Sequence, residues 1–241
     1  MRAAFPLAAV LLLGACHIDT DDGGNHQNAR RDFQVGAFQK IALAGSSDVV
    51  VTVGGAPSVR AEGDKAVIDR LDIRVENGEL KIENKRHDGW NWDFGGSHHN
   101  HVTVYVTAPS LAGVSVAGSG DMKVDKVAGS EFDASLAGSG DLNVDSLQVA
   151  AARFNIAGSG DISASGKAGQ ASITVAGNGD FKAGGLEIGN ATVSVIGSGD
   201  VTARATQNAD VTVMGSGDVT LSGSAKCNVH KMGSGDVHCG T

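Results

Sequence analysis

The sequence predicts an all-β protein whose second half folds as a right-handed parallel β-helix, or β-solenoid, preceded by a less regular all-β half. The first observation is a repeat: Gly-Ser-Gly-Asp occurs seven times, once with Asn178 in place of the serine. The copies end at Asp121, Asp141, Asp161, Asp180, Asp200, Asp218 and Asp236, at spacings of 18 to 20 residues. A period of this length, kept over seven copies, is typical of stacked repeats in which each copy forms one coil.

The second observation is an alternation of apolar and polar residues on both sides of the repeat. Before Asp200 stand Val193 and Val195, and after it stand Val201 and Ala203, with polar residues between them. An alternation with period two places the apolar residues of a β-strand on one face. Each coil is therefore predicted to carry short strands whose apolar faces form a thin core.

The start of the chain predicts a lipid-anchored protein of the cell envelope. Arg2 precedes an apolar run over residues 3–13, which is too short to span a bilayer, and small residues lead to Cys16. We interpret residues 1–15 as a lipoprotein signal peptide, Cys16 as the lipidated residue and residues 16–32 as a flexible tether. An ordinary secretory signal is the alternative. His17, rather than an aspartate, follows the cysteine, which favours the outer membrane.

The charge of the chain bears on its partners. The formal net charge is −8, and lysines and arginines are not clustered. Phosphate binding requires clustered basic residues, so we expect no nucleic acid partner. No later segment is apolar enough to cross a membrane, and the lipid on Cys16 is the predicted membrane contact.

Residues 33–109 form the irregular β part, and residues 110–241 the regular repeat. Asn77-Gly78 between two alternating runs predicts a β-hairpin, and residues 66–71 predict a short helical turn. Gly45 to Asp48 reads Gly-Ser-Ser-Asp, a degenerate copy of the repeat, but its register with the other copies is not evident from the sequence.

The loop 85–101 interrupts the β pattern and concentrates unusual side chains. Its histidines allow a transition-metal site, although a solvated polar loop is the interpretation we favour. Its tryptophans either pack on the core or form an exposed contact patch. The candidate ligand-contact residues of this loop are Trp90, Trp92, His98, His99 and His101.

The aspartates of the repeat allow three interpretations. In a β-helix their carboxylates form a column with neighbours about 4.8 Å apart, and the repulsion between them must be offset. Backbone N–H groups of the turn can offset it locally, and a row of Ca²⁺ ions or catalysis by paired carboxylates are the alternatives. We favour the structural role because an active site needs an asymmetric arrangement and all coils are alike. We predict no catalytic residues, no bound metal and no cofactor.

The last coil departs from the repeat. Lys231 and His230 replace apolar and small residues, which predicts an end cap. Cys227 and Cys239 occupy inward positions on its two strands. Outside the cytoplasm they are expected to form a disulfide, with two buried thiols as the alternative.

Several motifs together resemble a known bacterial family. They are Phe38 to Ile41, Ser47 to Val51, Gly78 to Ile82, Val102 to Pro109 and the Ala-Gly-Ser-Gly-Asp repeats. This combination resembles the putative auto-transporter adhesin head GIN domain (DUF2807) over residues 34–239. The resemblance implies a β-helical, often lipid-anchored envelope protein, and it brings no catalytic residues.

The functional hypotheses belong to different classes. The first is a non-enzymatic envelope protein that binds a surface, a glycan or an extracellular or periplasmic protein along its rod. The alternatives are a polysaccharide-active β-helix enzyme, lyase or hydrolase, and a structural or stress-related envelope module. An irregular charged cleft would favour an enzyme, and a flat repetitive face would favour binding or structure.

Overall fold

A computed structural model of the protein describes residues 28–85 and 101–240. These residues form one helix and seventeen strands, and the strands belong to a single sheet. The helix, which has 6 residues, is not long and apolar enough to cross a membrane. The elements are β1 Asn28–Phe33, β2 Lys40–Gly45, β3 Asp48–Val53, β4 Ser58–Asp64, α1 Lys65–Arg70, β5 Leu71–Glu76, β6 Glu79–Asn84, β7 Val102–Ala108, β8 Gly113–Gly118, β9 Met122–Val124, β10 Val127–Gly138, β11 Leu142–Gly158, β12 Ile162–Gly177, β13 Phe181–Gly197, β14 Val201–Gly215, β15 Val219–Ser222, β16 Lys226–Gly233 and β17 Val237–Cys239.

The predicted β-solenoid is confirmed by the strand pairing. β10 to β14 pair in parallel with their neighbours along the chain, and equivalent residues of successive coils lie side by side. Ile156 of one coil, for example, pairs with Val175 of the next, and Val175 pairs with Val195. Each coil has a first side before the Gly-Ser-Gly-Asp corner, a second side after it and a third side that leads into the next coil.

The core runs along the axis of the solenoid and is filled by the predicted inward positions. Val193, Val195 and Val201 are at most 1 % exposed. Phe132, Phe154 and Phe181 contact one another in successive coils, edge-on for the first pair and tilted for the second, whose ring centroids are 4.8 Å apart. Burying such a side chain contributes about 1.5–3 kcal/mol, so the alternation read from the sequence is the main source of stability.

The N-terminal half contributes two further coils, and their order in space differs from their order in the chain. β2 pairs in parallel with both β6 and β8, and β3 pairs in parallel with both β7 and β9. The coil formed by β2 and β3 therefore lies between the coil formed by β6 and β7 and the coil formed by β8 and β9. Its corner, Gly45 to Asp48, stacks directly on the corner that ends at Asp121.

Antiparallel strands cover the N-terminal end of the solenoid. β5 pairs with β6, β4 pairs with β7, and β1 pairs with β4. Asn77 and Gly78 turn the β5–β6 hairpin with positive φ angles of 51° and 76°, as the sequence predicts. The predicted helical turn is α1, whose N-terminus is capped by the Asp64 carboxylate and whose Ile68 is buried.

The tether predicted over residues 16–32 extends too far. Residues 28–32 belong to β1, which is bonded along its length to β4. Ala29 and Phe33 pack against the core, while the polar side chains between them point mostly outward. The polar composition of these residues suggested a tether. Backbone N–H and C=O groups can nevertheless bond a neighbouring strand whatever side chains the residues carry.

The C-terminal end of the solenoid has no antiparallel cover among the described residues. β16 pairs with β14 alone and β17 with β15 alone, so Val229, at an inward position, is 42 % exposed. Cys227 and Cys239 form a disulfide that joins β16 to β17. Cys227 is half-buried, and Cys239, whose register partner in the preceding coil is the buried Leu221, is exposed because no further coil covers it among the described residues. This coil ends the solenoid without burying its own inward residues.

Candidate functional site

The aspartates of the repeat form a ladder of hydrogen bonds between coils. In each step the Oδ1 atom of one aspartate accepts the backbone N–H of the aspartate in the next coil. The seven donor–acceptor distances lie between 2.7 and 3.2 Å. The ladder runs through Asp48, Asp121, Asp141, Asp161, Asp180, Asp200, Asp218 and Asp236.

The carboxylate bonds a different donor from the one that the sequence suggested. The sequence suggested a bond to N–H groups within the same turn, whereas the donor belongs to the next coil. The reason is the close stacking of the corners: an ideal Cβ added to Gly158 would lie 2.3 Å from the carbonyl oxygen of Gly138. That carbonyl accepts the N–H groups of Ser159 and Gly160 at 2.9 and 3.1 Å. With these groups already bonded, the N–H of the following aspartate is the one that reaches the carboxylate.

One lysine contacts the ladder from the second side of its coil. Lys182 Nζ bonds the Asp161 carboxylate and lies 3.5 Å from Asp180 Oδ2. Burial alone would raise the pKa of Asp161, but the bonds from Lys182 and from the Asp180 N–H outweigh it and lower that pKa below its ordinary value of 3.8. The carboxylate is therefore ionised at neutral pH, as hydrogen-bond acceptance requires.

The other corner of the coil, where the third side meets the first side, carries a groove. Its cavity volume is about 230 Å³, and it crosses four coils. We call it the variable groove, because the side chains at equivalent positions differ from coil to coil. It is lined by Glu131, Asp133, Ala151, Ala152, Arg153, Gln170, Ala171, Ser172, Asn190 and Thr192.

Side chains along this groove bond one another across coils. Arg153 Nη1 lies 3.4 Å from Asp133 Oδ1. Further along, Asn190 donates to Gln207 at 3.2 Å and accepts from Asn208 at 2.9 Å. These bonds hold the Asn190 amide in one orientation, while its neighbours in the groove present amide and hydroxyl groups to solvent.

The face near the predicted contact loop has a different character. The Arg60 guanidinium lies 4.8 Å from the ring centroid of Tyr105, which is 37 % exposed. His101 lines a shallow depression beside Tyr105. Trp90, Trp92, His98 and His99 lie outside the described residues, as does Cys16. Residues 28–85 and 101–240 contain no group of three or more His, Cys, Asp or Glu side chains arranged to hold a metal ion.

Sequence reasoning missed the variable groove and favoured the loop 85–101. The signal was present in the columns ten and eight residues before the repeat aspartates from Asp141 to Asp236. The first column reads Glu131, Ala151, Gln170, Asn190, Asn208 and Lys226, and the second reads Asp133, Arg153, Ser172, Thr192, Asp210 and Asn228. Variation within an otherwise strict repeat marks these columns, but only the bend of the coil makes them concave.

The comparisons with known proteins agree with this architecture. Residues 37–225 match the family model described as "Putative auto-transporter adhesin, head GIN domain". The curated proteins contain no match to the chain. A putative adhesin from Bacteroides fragilis superposes with a TM-score of 0.80 at 24 % identity, covering 89 % of this chain and 97 % of its own.

Two further solved structures share the fold. A putative lipid binding protein from Parabacteroides distasonis has a TM-score of 0.68 at 25 % identity, over 90 % of this chain and 98 % of its own. A putative adhesin from Parabacteroides merdae has a TM-score of 0.68 at 19 % identity, over 90 % and 98 % of the two chains. Sites differ among proteins that share a fold, so function must be argued from the residues of this chain.

Proposed function

Because the chain belongs to the family of putative auto-transporter adhesins with a head GIN domain, we propose that it is a non-enzymatic binding protein of the bacterial cell envelope. The observation that carries the proposal is the variable groove, a concave surface with non-repeating polar side chains on the regular coils of the solenoid. A rigid array of this kind presents many fixed contacts without reorganising, which favours binding.

The arrangement of the carboxylates supports binding over catalysis. Every aspartate of the ladder, from Asp48 to Asp218, accepts the same type of backbone hydrogen bond. Paired-carboxylate catalysis requires two groups with different environments, one protonated and one ionised. In the groove, the Asp133 carboxylate is held in an ion pair by the Arg153 guanidinium, with Nη1 and Oδ1 3.4 Å apart.

The start of the chain supports a place in the envelope. We propose that residues 1–15 are removed, that Cys16 carries the lipid, and that the residues after it tether the β-solenoid to the outer membrane. Partners are then an extracellular or periplasmic glycan or protein, and not nucleic acid. Metabolic labelling with a palmitate analogue is expected to mark the wild-type chain and not the Cys16→Ser variant; equal labelling of both contradicts the anchor.

Binding is tested with the mature chain immobilised on beads. Panels of purified bacterial polysaccharides and envelope proteins are passed over the wild type and over Gln170→Trp, which fills the groove. We expect saturable capture that Gln170→Trp reduces at least tenfold and that Asn143→Trp, on the second side of the coil, leaves unchanged. Equal loss in both variants, or release of cleaved sugar products during incubation, contradicts the proposal.

A further inference from the structure

We propose that the variable groove binds an uncharged linear polysaccharide that lies along the solenoid axis, with about one sugar unit per coil. The inference rests on the proposed binding function and specifies its ligand. The direction of the groove is the first observation in favour of a linear ligand. The groove runs across successive coils, and paired strands are spaced about 4.8 Å apart. A glycan chain extended along this direction meets a new set of side chains at each coil, at a spacing comparable to the length of one sugar ring.

The polar lining matches hydroxyl groups. Gln170 offers an exposed amide, and Ser172 and Thr192 offer exposed hydroxyls. An amide both donates and accepts hydrogen bonds, and so does a hydroxyl. Adjacent hydroxyls of a sugar, which also donate and accept, can therefore be bonded by neighbouring coils without leaving a polar group unpaired.

The floor of the groove matches the less polar face of a sugar ring. Ala152 and Ala171 are 3 % and 4 % exposed and lie side by side in adjacent coils. Ala151, one residue before Ala152, also lines the groove. Ala152 and Ala171 belong to the core, so the half-buried methyl group of Ala151 is the apolar contact that these three residues offer to the face of a sugar ring.

The charges favour an uncharged ligand. Glu131, Asp133 and Arg153 are the charged residues of the lining, and Arg153 is paired with Asp133. The whole chain carries a net charge of −8, so a polyanion would be repelled before it reached the groove. A peptide ligand is less suitable, because the strong anchors of protein interfaces are aromatic and large apolar groups that need deeper apolar pockets.

The groove is organised before the ligand arrives. The Asn190 amide is bonded on two sides, by Gln207 and Asn208. Gln170 stands beside Asn190 on the adjacent strand, in register with it. Side chains held in place lose less rotational freedom on binding, so weak contacts in successive coils can add up.

The inference is tested by titrating the full mature chain with neutral oligosaccharides. Malto-, cello-, manno- and xylo-oligosaccharides of one to eight units are measured by calorimetry and by chemical-shift changes in NMR spectra. For the series that binds, we expect affinity to rise with length up to about four units, the number of coils in the groove, and then to level off. Asn190→Ala and Gln170→Ala are each expected to weaken binding about fivefold, the effect of one net hydrogen bond. Asn143→Ala is the control and is expected to leave affinity unchanged.

The possible failures separate this inference from the proposed function. Capture of a defined envelope protein that Gln170→Trp abolishes, with no binding of any neutral oligosaccharide, overturns the glycan assignment and leaves the binding function in place. Binding of alginate or another polyanion that weakens steeply with salt also overturns the assignment. An affinity that does not depend on oligosaccharide length refutes the axial orientation. Failure of the chain to bind any sugar or protein in either panel contradicts both proposals.

Discussion

The two corners of a coil differ in whether the same residues recur from one coil to the next. At the Gly-Ser-Gly-Asp corner the same residues recur, and their polar groups bond the neighbouring coils. At the corner of the variable groove the outward-facing residues differ between the coils that line it, and several of their polar groups face solvent. Residues that recur from coil to coil are therefore the ones that stacking constrains. Positions where the residues differ are not constrained by stacking and are free to serve in recognition. Substitutions in the core and at the two corners should therefore have separable effects on stability and on binding.

The largest expected effect is the loss of stability caused by a substitution in the core, which lies between the two corners. Val195 is fully buried, and its neighbour Ser194 points to the opposite face of the strand. Val195→Asp buries an unpaired carboxylate and is expected to cost more than about 4 kcal/mol, which prevents folding. Ser194→Asp is expected to remain folded. Circular dichroism during thermal unfolding distinguishes them, and equal tolerance of both would refute the observed alternation.

A similar loss is expected at the glycines of the repeat corner. Gly158 has a φ of +132°, and its added Cβ would meet the Gly138 carbonyl oxygen at 2.3 Å. Gly158→Ala is expected to cost about 3 kcal/mol or more, from backbone strain together with the forced separation of two coils. Gly129→Ala is the matched control, because nothing lies within 4 Å of its added Cβ. Chemical denaturation should show the control within about 1 kcal/mol of the wild type; a comparable loss in the control would contradict the stacking argument.

A smaller effect is expected from the aspartate ladder. The Asp180 carboxylate accepts the Asp200 N–H at 2.9 Å, so Asp180→Ala is expected to cost about 1–3 kcal/mol. Asp236 ends the ladder, and its carboxylate lies 3.6 Å from Lys231 Nζ. Asp236→Ala is therefore expected to cost less than about 1 kcal/mol, as for an exposed ion pair. Equal losses of unfolding free energy in the two variants would mean that the ladder contributes nothing.

The smallest effect is the pH dependence of the same corner. The pKa of Asp161 is lowered in the folded protein, chiefly by Lys182 against the opposing effect of burial. A lowered folded-state pKa gives stability that is present above the ordinary value of 3.8 and is lost as pH falls through the folded-state pKa. Exposed Glu76, with a pKa lowered from 4.5 to about 2 by Lys81 and Arg74, adds to the same trend.

The variant Lys182→Gln tests this dependence. We expect it to lose less stability than the wild type when pH falls from 5 to 2, because part of the acid-sensitive stabilisation is already absent at neutral pH. Lys226→Gln, on β16, provides the control for loss of one positive charge. Melting temperatures measured across this range that fall in parallel for Lys182→Gln and the wild type would exclude the proposed role of Lys182.

The sequence predicts the regular coils well because one local rule acts in every repeat. Glycine, aspartate and the apolar alternation each have a local physical reason, so the corner and the core could be located from them. The order of the N-terminal coils could not be predicted, since β2 and β3 lie between strands that follow them in the chain. The sequence predicts a column of turn aspartates bonded by N–H groups of their own turns, whereas the observed donor belongs to the next coil, because it depends on the stacking distance between coils.

The variable groove escaped prediction for a related reason. Gln170 and Asn190 are outward polar residues in the sequence, like many residues on the flat sides of the solenoid. Their special position comes from the bend between the third and first sides, which the alternation does not encode. The length of the tether was overestimated, because Arg30 and Asp32 are polar although the backbone around them forms a strand.

Native-state hydrogen exchange tests most directly whether the aspartate carboxylates bond the next coil. The backbone N–H of Asp180 donates to Asp161 Oδ1 at 2.8 Å, although the corner lies at the surface. We predict that this amide and those of Asp141, Asp161, Asp200 and Asp218 exchange only through large-scale unfolding. The amide of Val237, whose equivalent Val219 donates to the next coil, has no coil beyond it among the described residues and should exchange rapidly. Exchange of the aspartate amides as fast as that of Val237 would contradict the account.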